Sequence, residues 1–419
     1  MDEHNIGFVS TRFAGTDGVS LEAQKWADVY REFGCEVFWY GGLLDRNPTQ
    51  SMLVDEAWFG HPENVWINDQ IWNQHRRSPE VTQRILDFSL RIKRSLYEFV
   101  DRFAIDTLVI ENALCIPMHV PLGIAITNYI SETNIPAVGH HHDFFWERDR
   151  FKRNAISDFL SMAFPPVLPS MQHVVINSLA RLDLAARRGV PSTVVPNVHD
   201  FETPPPKRDD YIADMKADLG FHPDDIIILQ PTRVIPRKGI PHSINLVEML
   251  DLPQAKLVVS HKTGDEGMEY KEFLQTIARR RGVDMVFIDD HIDEVRRTDA
   301  DGRKIYALGD AYSIADFVTY PSLYEGFGNA LLETIYFKVP FLINRYNTYV
   351  EDIEPLGLQA VVIDQFVTDE AVQLTRRAIQ DKSFAREMAE HNYMVAQEYF
   401  SYKPLRIKLK YLLDTQLRI

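Results

Sequence analysis

Two carboxylates flank a glycine turn in the segment Tyr320-Pro321-Ser322-Leu323-Tyr324-Glu325-Gly326-Phe327-Gly328-Asn329-Ala330-Leu331-Leu332-Glu333. Glu325 precedes the turn and Glu333 follows it, so two acceptors can hold separate hydroxyl groups of one elongated ligand. A carboxylate that accepts from vicinal hydroxyls is a common grip on a ribose or hexose. Gly326 and Gly328 carry no Cβ to keep a ligand off the main chain. A second stretch, Pro231-Thr232-Arg233-Val234-Ile235-Pro236-Arg237-Lys238-Gly239, carries the opposite charge. Arg233 and Lys238 can converge on one point, and a diphosphate needs such cations. Arg237 adds a third charge, which is expected to point to solvent.

Both stretches must hang on strands. The apolar run 315–320 predicts a buried strand, stopped by Pro321-Ser322, and residues 330–337 predict a helix. A strand, a glycine loop and a helix start together aim main-chain N–H groups at phosphate or sugar oxygens. Residues 225–230 predict the strand that leads into Arg233. The first half of the chain opens the same way. A strand at 6–10, an amphipathic helix at 19–33 and a strand at 35–40 form a βαβ unit, and Gly15-Thr16-Asp17-Gly18 between them is a phosphate-approach candidate. Strand 107–110 ends in Glu111-Asn112, and strand 135–139 ends in His140-His141-His142-Asp143. Both tips belong at the carboxyl edge of a parallel sheet, where open α/β folds bind ligands. Neighbouring residues on an extended chain point in alternate directions, so the three histidines are not expected to converge on a metal. One of them suits a hydrogen-bond donor or an acid/base.

Other features read more plainly. Trp58, Phe59, His61, Trp66 and Trp72 form either a sugar-stacking wall or a satellite core. Asp299-Ala300-Asp301 sits in a polar loop and predicts a turn, not a metal site. The three prolines within residues 201–210 predict the linker between two domains, 1–203 and 208–398. A length of 419 residues agrees with two cores. A net charge of −15 argues against nucleic acid as a partner and weakens the case for a membrane surface. Two cysteines outside any metal-ligand spacing, a polar N-terminus and no long apolar run predict a cytoplasmic protein without bound metal. A homodimer is compatible with all of this.

The Glu-x7-Glu element after Tyr-Pro-Ser, with the Arg-x4-Lys pair upstream, resembles the signature of retaining GT-B glycosyltransferases of family 4. The resemblance implies two Rossmann-like domains facing across a cleft, with a last helix, from about residue 399, returning to the first domain. It implies that Glu325 faces the donor sugar and that Gly326, Phe327, Gly328 and Asn329 touch sugar hydroxyls. Glu333 would bind the ribose, Arg233 and Lys238 the donor phosphates, and Gly18 would approach the diphosphate. Family 4 enzymes commonly carry His-Asp six residues after the proline of this strand, and counting from Pro136 selects His142 and Asp143 as catalytic residues. The family's other common histidine is replaced by Glu111-Asn112, which leaves open which group faces the sugar. Arg12, Glu111, Asn112 and His141 are the acceptor-side candidates.

The implied activity is retaining transfer of a hexose from a GDP-mannose- or UDP-glucose-type donor to a small soluble acceptor. The segments around residues 111–123 and 139–148 resemble a subgroup that makes compatible-solute glycosides of glycerate or phosphoglycerate. No cofactor is implied beyond the nucleotide-sugar substrate, and no protein-bound divalent metal is expected. Two other functions use the same residues. A sugar phosphorylase on this scaffold would leave Glu333 without a role, and a non-catalytic nucleotide-sugar-binding regulator would need no His142.

Overall fold

The computed structural model describes residues 4–15, 17–261 and 268–416. The chain divides into two compact units. One is the chain up to Asn197 together with the segment from Lys403 onward, and the other is Val198–Tyr402.

The first unit is built on a seven-stranded parallel sheet. Its strands are β1 (Asn5–Val9), β2 (Glu36–Gly41), β3 (Ser51–Leu53), β4 (Thr107–Glu111), β5 (Ala137–His141), β6 (Met171–Val175) and β7 (Ser192–Val194), in the order 3-2-1-4-5-6-7. Ile6, Phe8, Val9, Leu108, Val109 and Ile110 are wholly buried, as expected for strands covered on both faces. The helix Pro79–Phe103 shows how the covering layer forms. Ser78 caps it by accepting from the Val81 N–H, proline occupies its first turn, and Val81, Ile85, Phe88, Ile92, Leu96 and Phe99 recur at helical spacing on its buried face. On its outer face Arg84 lies over the Trp66 ring, and Arg91 and Lys93 pair with Glu63 and Glu132. Trp66 and Trp72 pack against the core of this unit, while Trp58 is 38% exposed.

The second unit repeats the plan with six parallel strands. They are β8 (Ile226–Gln230), β9 (Ala255–Val259), β10 (Asp284–Phe287), β14 (Phe317–Tyr320), β15 (Phe341–Asn344) and β16 (Val361–Ile363), in the order 10-9-8-14-15-16. Between β10 and β14 runs a three-stranded ribbon of β11 (Ile292–Asp293), β12 (Arg297–Thr298) and β13 (Lys304–Ala307). Asp299 folds into the turn of this ribbon, accepting from the main-chain N–H groups of Asp301 and Arg303 at 2.9 Å each.

In each sheet the strand order reverses once, between β1 and β4 and between β8 and β14. Diverging connections open a crevice at the carboxyl ends of such a strand pair. The loops picked from the sequence stand at these two places.

The division between units falls at Asn197, before the proline stretch rather than within it. Phe201 explains the difference. It is 1% exposed, packs on Tyr336 and Tyr393, and accepts from the Tyr393 hydroxyl at 3.0 Å, so residues before the prolines already belong to the second core. The last helix, Tyr402–Gln416, buries Leu405, Leu409, Leu412 and Leu413. It is tied to the first unit by Gln172, whose amide donates to Thr415 Oγ1 at 2.9 Å, and by the Arg406–Glu32 ion pair. Among the described residues no helix is long and apolar enough to cross a membrane.

Candidate active site

In the second unit, the β8 loop and the β14 loop lie against each other. The Leu323 N–H donates to Arg237 O at 2.8 Å. Gly239 takes φ 63, and a Cβ there would stand 2.1 Å from Pro321 O, so no other residue fits. This contact brings Lys238 and Arg237 onto Glu325. The Lys238 ammonium donates to Glu325 Oε1, and Arg237 Nη1 donates to Glu325 Oε2 at 2.9 Å and to Tyr324 O at 3.0 Å. Arg237 therefore does not point to solvent, as its place in a charged loop suggests. It neutralises a carboxylate 88 residues later, on the loop that follows β14. Burial pushes the Glu325 carboxyl up, but Lys238 and Arg237 outweigh it and hold the group below its ordinary range.

The glycine turn is set by tyrosines. Gly328 has φ 124, and a Cβ would lie 2.9 Å from the Tyr320 hydroxyl and 3.0 Å from that of Tyr346. Tyr346 in turn donates to Phe327 O at 2.8 Å, and Thr348 donates to Glu325 O at 3.1 Å. The helix Asn329–Tyr336 starts directly after Gly328. Four residues further along it, Glu333 accepts from the Tyr312 hydroxyl at 3.1 Å. Arg233 is exposed at the end of β8. Two residues that the sequence reading does not single out join this place. Tyr312 orients Glu333, and His261, at the end of β9, is driven to a pKa of about 4 by burial and by the charges of Lys238 and Arg233. One tyrosine among 17 carries no signal of such a role.

In the first unit, the tips of β4 and β5 meet. His140 and His142 lie on one side and His141 on the other. Alternation along an extended strand separates adjacent residues, and the same alternation brings i and i+2 together. His140 Nδ1 lies 3.1 Å from Glu111 Oε1 and 3.0 Å from Oε2, and His142 Nε2 lies 3.4 Å from Glu111 Oε2. The last is an ion-pair distance without the angle of a hydrogen bond. Among the described residues Glu111, His140 and His142 are the one group of three metal-ligating side chains whose ligand atoms all lie within 4.8 Å of one another. The expectation that the histidine run cannot converge thus holds for neighbours but not for this pair.

Trp26 stacks on His140 with ring centroids 4.1 Å apart. His141 is 1% exposed and contacts His173, Nε2 to Nδ1, at 3.0 Å. Asp143 is engaged by Arg148, whose Nε donates to Oδ2 at 2.6 Å. The Asn112 side chain accepts from the His142 N–H at 3.1 Å. Arg12 lies 3.1 Å from Asp17 Oδ2.

The loop before Gly18 differs from the phosphate-approach reading. Asp17 accepts from the N–H groups of Val19 and Ser20 at 3.2 and 3.4 Å, and the Gly15 N–H donates to Asp45 at 2.8 Å. Carboxylates therefore already cover these amides at the start of the helix Gly18–Glu32. Thr16 lies outside the described residues.

Glycosyltransferases carry this combination of doubly wound units, a glycine turn between two glutamates, and cations on the neighbouring loop. Residues 212–394 match the family described as Glycosyl transferases group 1. The mannosylglucosylglycerate synthase of Petrotoga mobilis is 32% identical over 380 residues, covering 85% of this chain and 86% of that protein. The enzyme of the same name from Thermotoga maritima is 31% identical over 438 aligned positions, covering 96% and 97%. This chain belongs to the group 1 glycosyltransferases. Solved structures agree on the GT-B fold. Sucrose-phosphate synthase from Thermosynechococcus elongatus matches with a TM-score of 0.68 at 13% identity over 99% of this chain and all of its own. Anabaena HepE in complex with UDP and glucose matches with the same score, identity and coverage. The chain is thus a glycosyltransferase, and its identity with named enzymes extends through both units.

Proposed function

We propose that this glycosyltransferase moves a mannosyl group from a nucleotide-activated mannose to glucosylglycerate, with retention at the anomeric carbon. The observation that carries the proposal is identity above 30% across nearly the whole chain with two proteins named mannosylglucosylglycerate synthase. In this reading the second unit binds the donor. Arg233 and Lys238 take the diphosphate, the amides of residues 326–329 and Glu325 take the sugar, and Glu333, held by Tyr312, takes the ribose.

The reaction builds positive charge on the sugar and negative charge on the departing phosphate. Preorganised cations and main-chain N–H groups stabilise the latter, and this electrostatic contribution dominates. Lys238 exchanges Glu325 for a phosphate oxygen when the donor enters, while Arg237 keeps Glu325 charged and able to accept from a hydroxyl. His142 and Asp143 are the first unit's candidates for acid/base work on the sugar, and the glycerate carboxylate calls for a cation, for which Arg12 or Arg148 would leave its present partner, Asp17 or Asp143. No divalent ion is required as a protein-bound group in this scheme.

The test is incubation with GDP-mannose or UDP-mannose, and in parallel UDP-glucose, together with glucosylglycerate, followed by NMR of the product. An α-mannosyl anomeric signal from an α-linked donor supports the proposal. Transfer of glucose instead, an inverted linkage, or no transfer to glucosylglycerate while another acceptor is used overturns it. Calorimetry with UDP, GDP and ADP names the base, and Glu333→Ala should abolish the preference.

A further inference from the structure

Glu111 is wholly buried, and its partners are two imidazole rings, His140 and His142. A carboxylate placed so deep normally meets a guanidinium or ammonium group, because an unpaired buried charge is costly. The next residue reaches the same target by another route. Asn112 adopts φ 59, a conformation that asparagine tolerates better than most residues. Its Oδ1 accepts from the His142 main-chain N–H at 3.1 Å, and its Nδ2 lies 3.5 Å from Asp143 Oδ1. Its own N–H donates to His140 O at 3.0 Å, which locks the two strand tips together. His142 is thus held twice from one dipeptide, at the ring and at the backbone. Behind the ring, His140 is wedged between Glu111 and the Trp26 indole, so Glu111 has little room to turn away.

We propose that Glu111 and Asn112 are positioning residues for His142, the carboxylate fixing its ring and the amide its main chain. The proposal rests on the reading that His142 acts on the substrates. The charged and titratable groups facing His142 are Glu111 on β4, Glu22 on the helix Gly18–Glu32, and His140 and Asp143 on its own strand tip. Lys25 pairs with Glu22, and Arg148 pairs with Asp143, which leaves Glu111 as the carboxylate with no basic side chain other than histidine. In this geometry Glu111 sets where the ring points and Asn112 where its main chain lies.

The experiment follows the His142 ring by NMR of protein labelled at histidine Cε1, assigned with His142→Asn, alongside steady-state kinetics with nucleotide sugar and acceptor. Glu111→Gln should shift and broaden the His142 Cε1–H signal, because the ring loses its fixed orientation. It should cut kcat about 10- to 100-fold while KM for the nucleotide sugar stays within about 2-fold. Glu111→Asp, which keeps the charge at shorter reach, should lie between. Asn112→Ala should reduce kcat by freeing the main chain. An unchanged His142 signal in both Glu111 variants overturns the proposal, and Glu111→Asp decides it if Glu111→Gln does not fold. Elemental analysis of the wild-type protein supplies another refutation. One tightly held divalent ion per chain, lost in Glu111→Gln, would make the three side chains a metal site instead. A His142 signal that changes with turnover unchanged defeats the catalytic reading of His142 and the positioning role with it, while an altered signal and lowered kcat with a product other than the mannoside defeats only the substrate assignment.

Discussion

The two units carry the same sheet plan, yet their switch points hold opposite chemistry. At the β8/β14 crevice a single carboxylate is enclosed by ammonium and guanidinium groups, over a turn whose shape is fixed by tyrosine hydroxyls. At the β1/β4 edge and the adjoining β5 tip, a single carboxylate is enclosed by imidazoles and an indole. The first arrangement is built from strong bases and suits an anionic diphosphate. The second is built from imidazoles and suits a step in which a proton is taken up or released. One architecture thus surrounds a buried glutamate with strong bases in one unit and with weak ones in the other.

The largest effect should come from breaking the cationic enclosure. Glu325→Ala removes the sugar acceptor and strands Lys238, which is 8% exposed. We expect turnover to fall by about three orders of magnitude and stability by about 3–5 kcal/mol, the usual cost of removing one partner of a buried pair. Pairing it with Lys238→Met should return the melting temperature but not the activity. If the single variant melts like the wild type, the enclosure is not a buried ion pair in solution.

Next comes a test of the division of labour. His142→Ala should lower kcat about 100-fold or more with nucleotide affinity unchanged in calorimetry, whereas Glu333→Ala should weaken nucleotide binding about 10-fold or more. If His142→Ala weakens the nucleotide as much as Glu333→Ala does, the separation of roles collapses. A smaller effect belongs to Tyr312→Phe, which removes one hydrogen bond to Glu333. About 1 kcal/mol, or roughly 5-fold in nucleotide affinity, is expected.

Acid should also distinguish the units. Burial drives His119 to about 3 and His173 to about 4. Both pKa values are depressed on folding, so the unfolded chain binds more protons below about 6.5. The stability these groups allow is complete above that pH and is lost as pH falls toward 4. Glu147 works the other way, since burial raises it to about 7 and favours the folded state as pH drops from 7 toward 4.5. Two depressed histidines outweigh one raised carboxyl, so the first unit should soften between pH 6.5 and 4. All six tryptophans, Trp26, Trp39, Trp58, Trp66, Trp72 and Trp146, lie in that unit, so their fluorescence reports it selectively. A tryptophan transition that stays at the same temperature from pH 7 to 4.5 would refute the ordering.

The half proposed to hold the donor was the more legible from sequence because its parts lie on two contiguous stretches, each a strand followed by a loop. The positions of Glu325, Gly328, Glu333 and Lys238 follow from that local grammar. What did not follow was Arg237, whose partner sits on a loop that becomes a neighbour only when β14 inserts beside β8. The reactive half was harder, since its groups arrive from a helix and two strand tips. The histidine run offered a signal, but the pairing of positions 140 and 142 with Glu111 depends on the register Glu111–His140 between β4 and β5. The proline stretch misplaced the division between units for a related reason: a bend in the chain and a border between cores are different things, and Phe201 places the border earlier.

The helix Tyr402–Gln416 has a consequence for how the molecule is made. It completes a unit whose other parts were synthesised more than two hundred residues before, as the Gln172–Thr415 contact shows. Val198–Tyr402 is continuous in sequence, whereas the first unit keeps a leucine-lined gap until the segment from Lys403 is available to fill it. The half that carries the histidines therefore cannot be complete before every residue of the half proposed to hold the donor has been made. A chain truncated at residue 402 should keep Val198–Tyr402 folded and leave the first unit without the packing of Leu405, Leu409, Leu412 and Leu413.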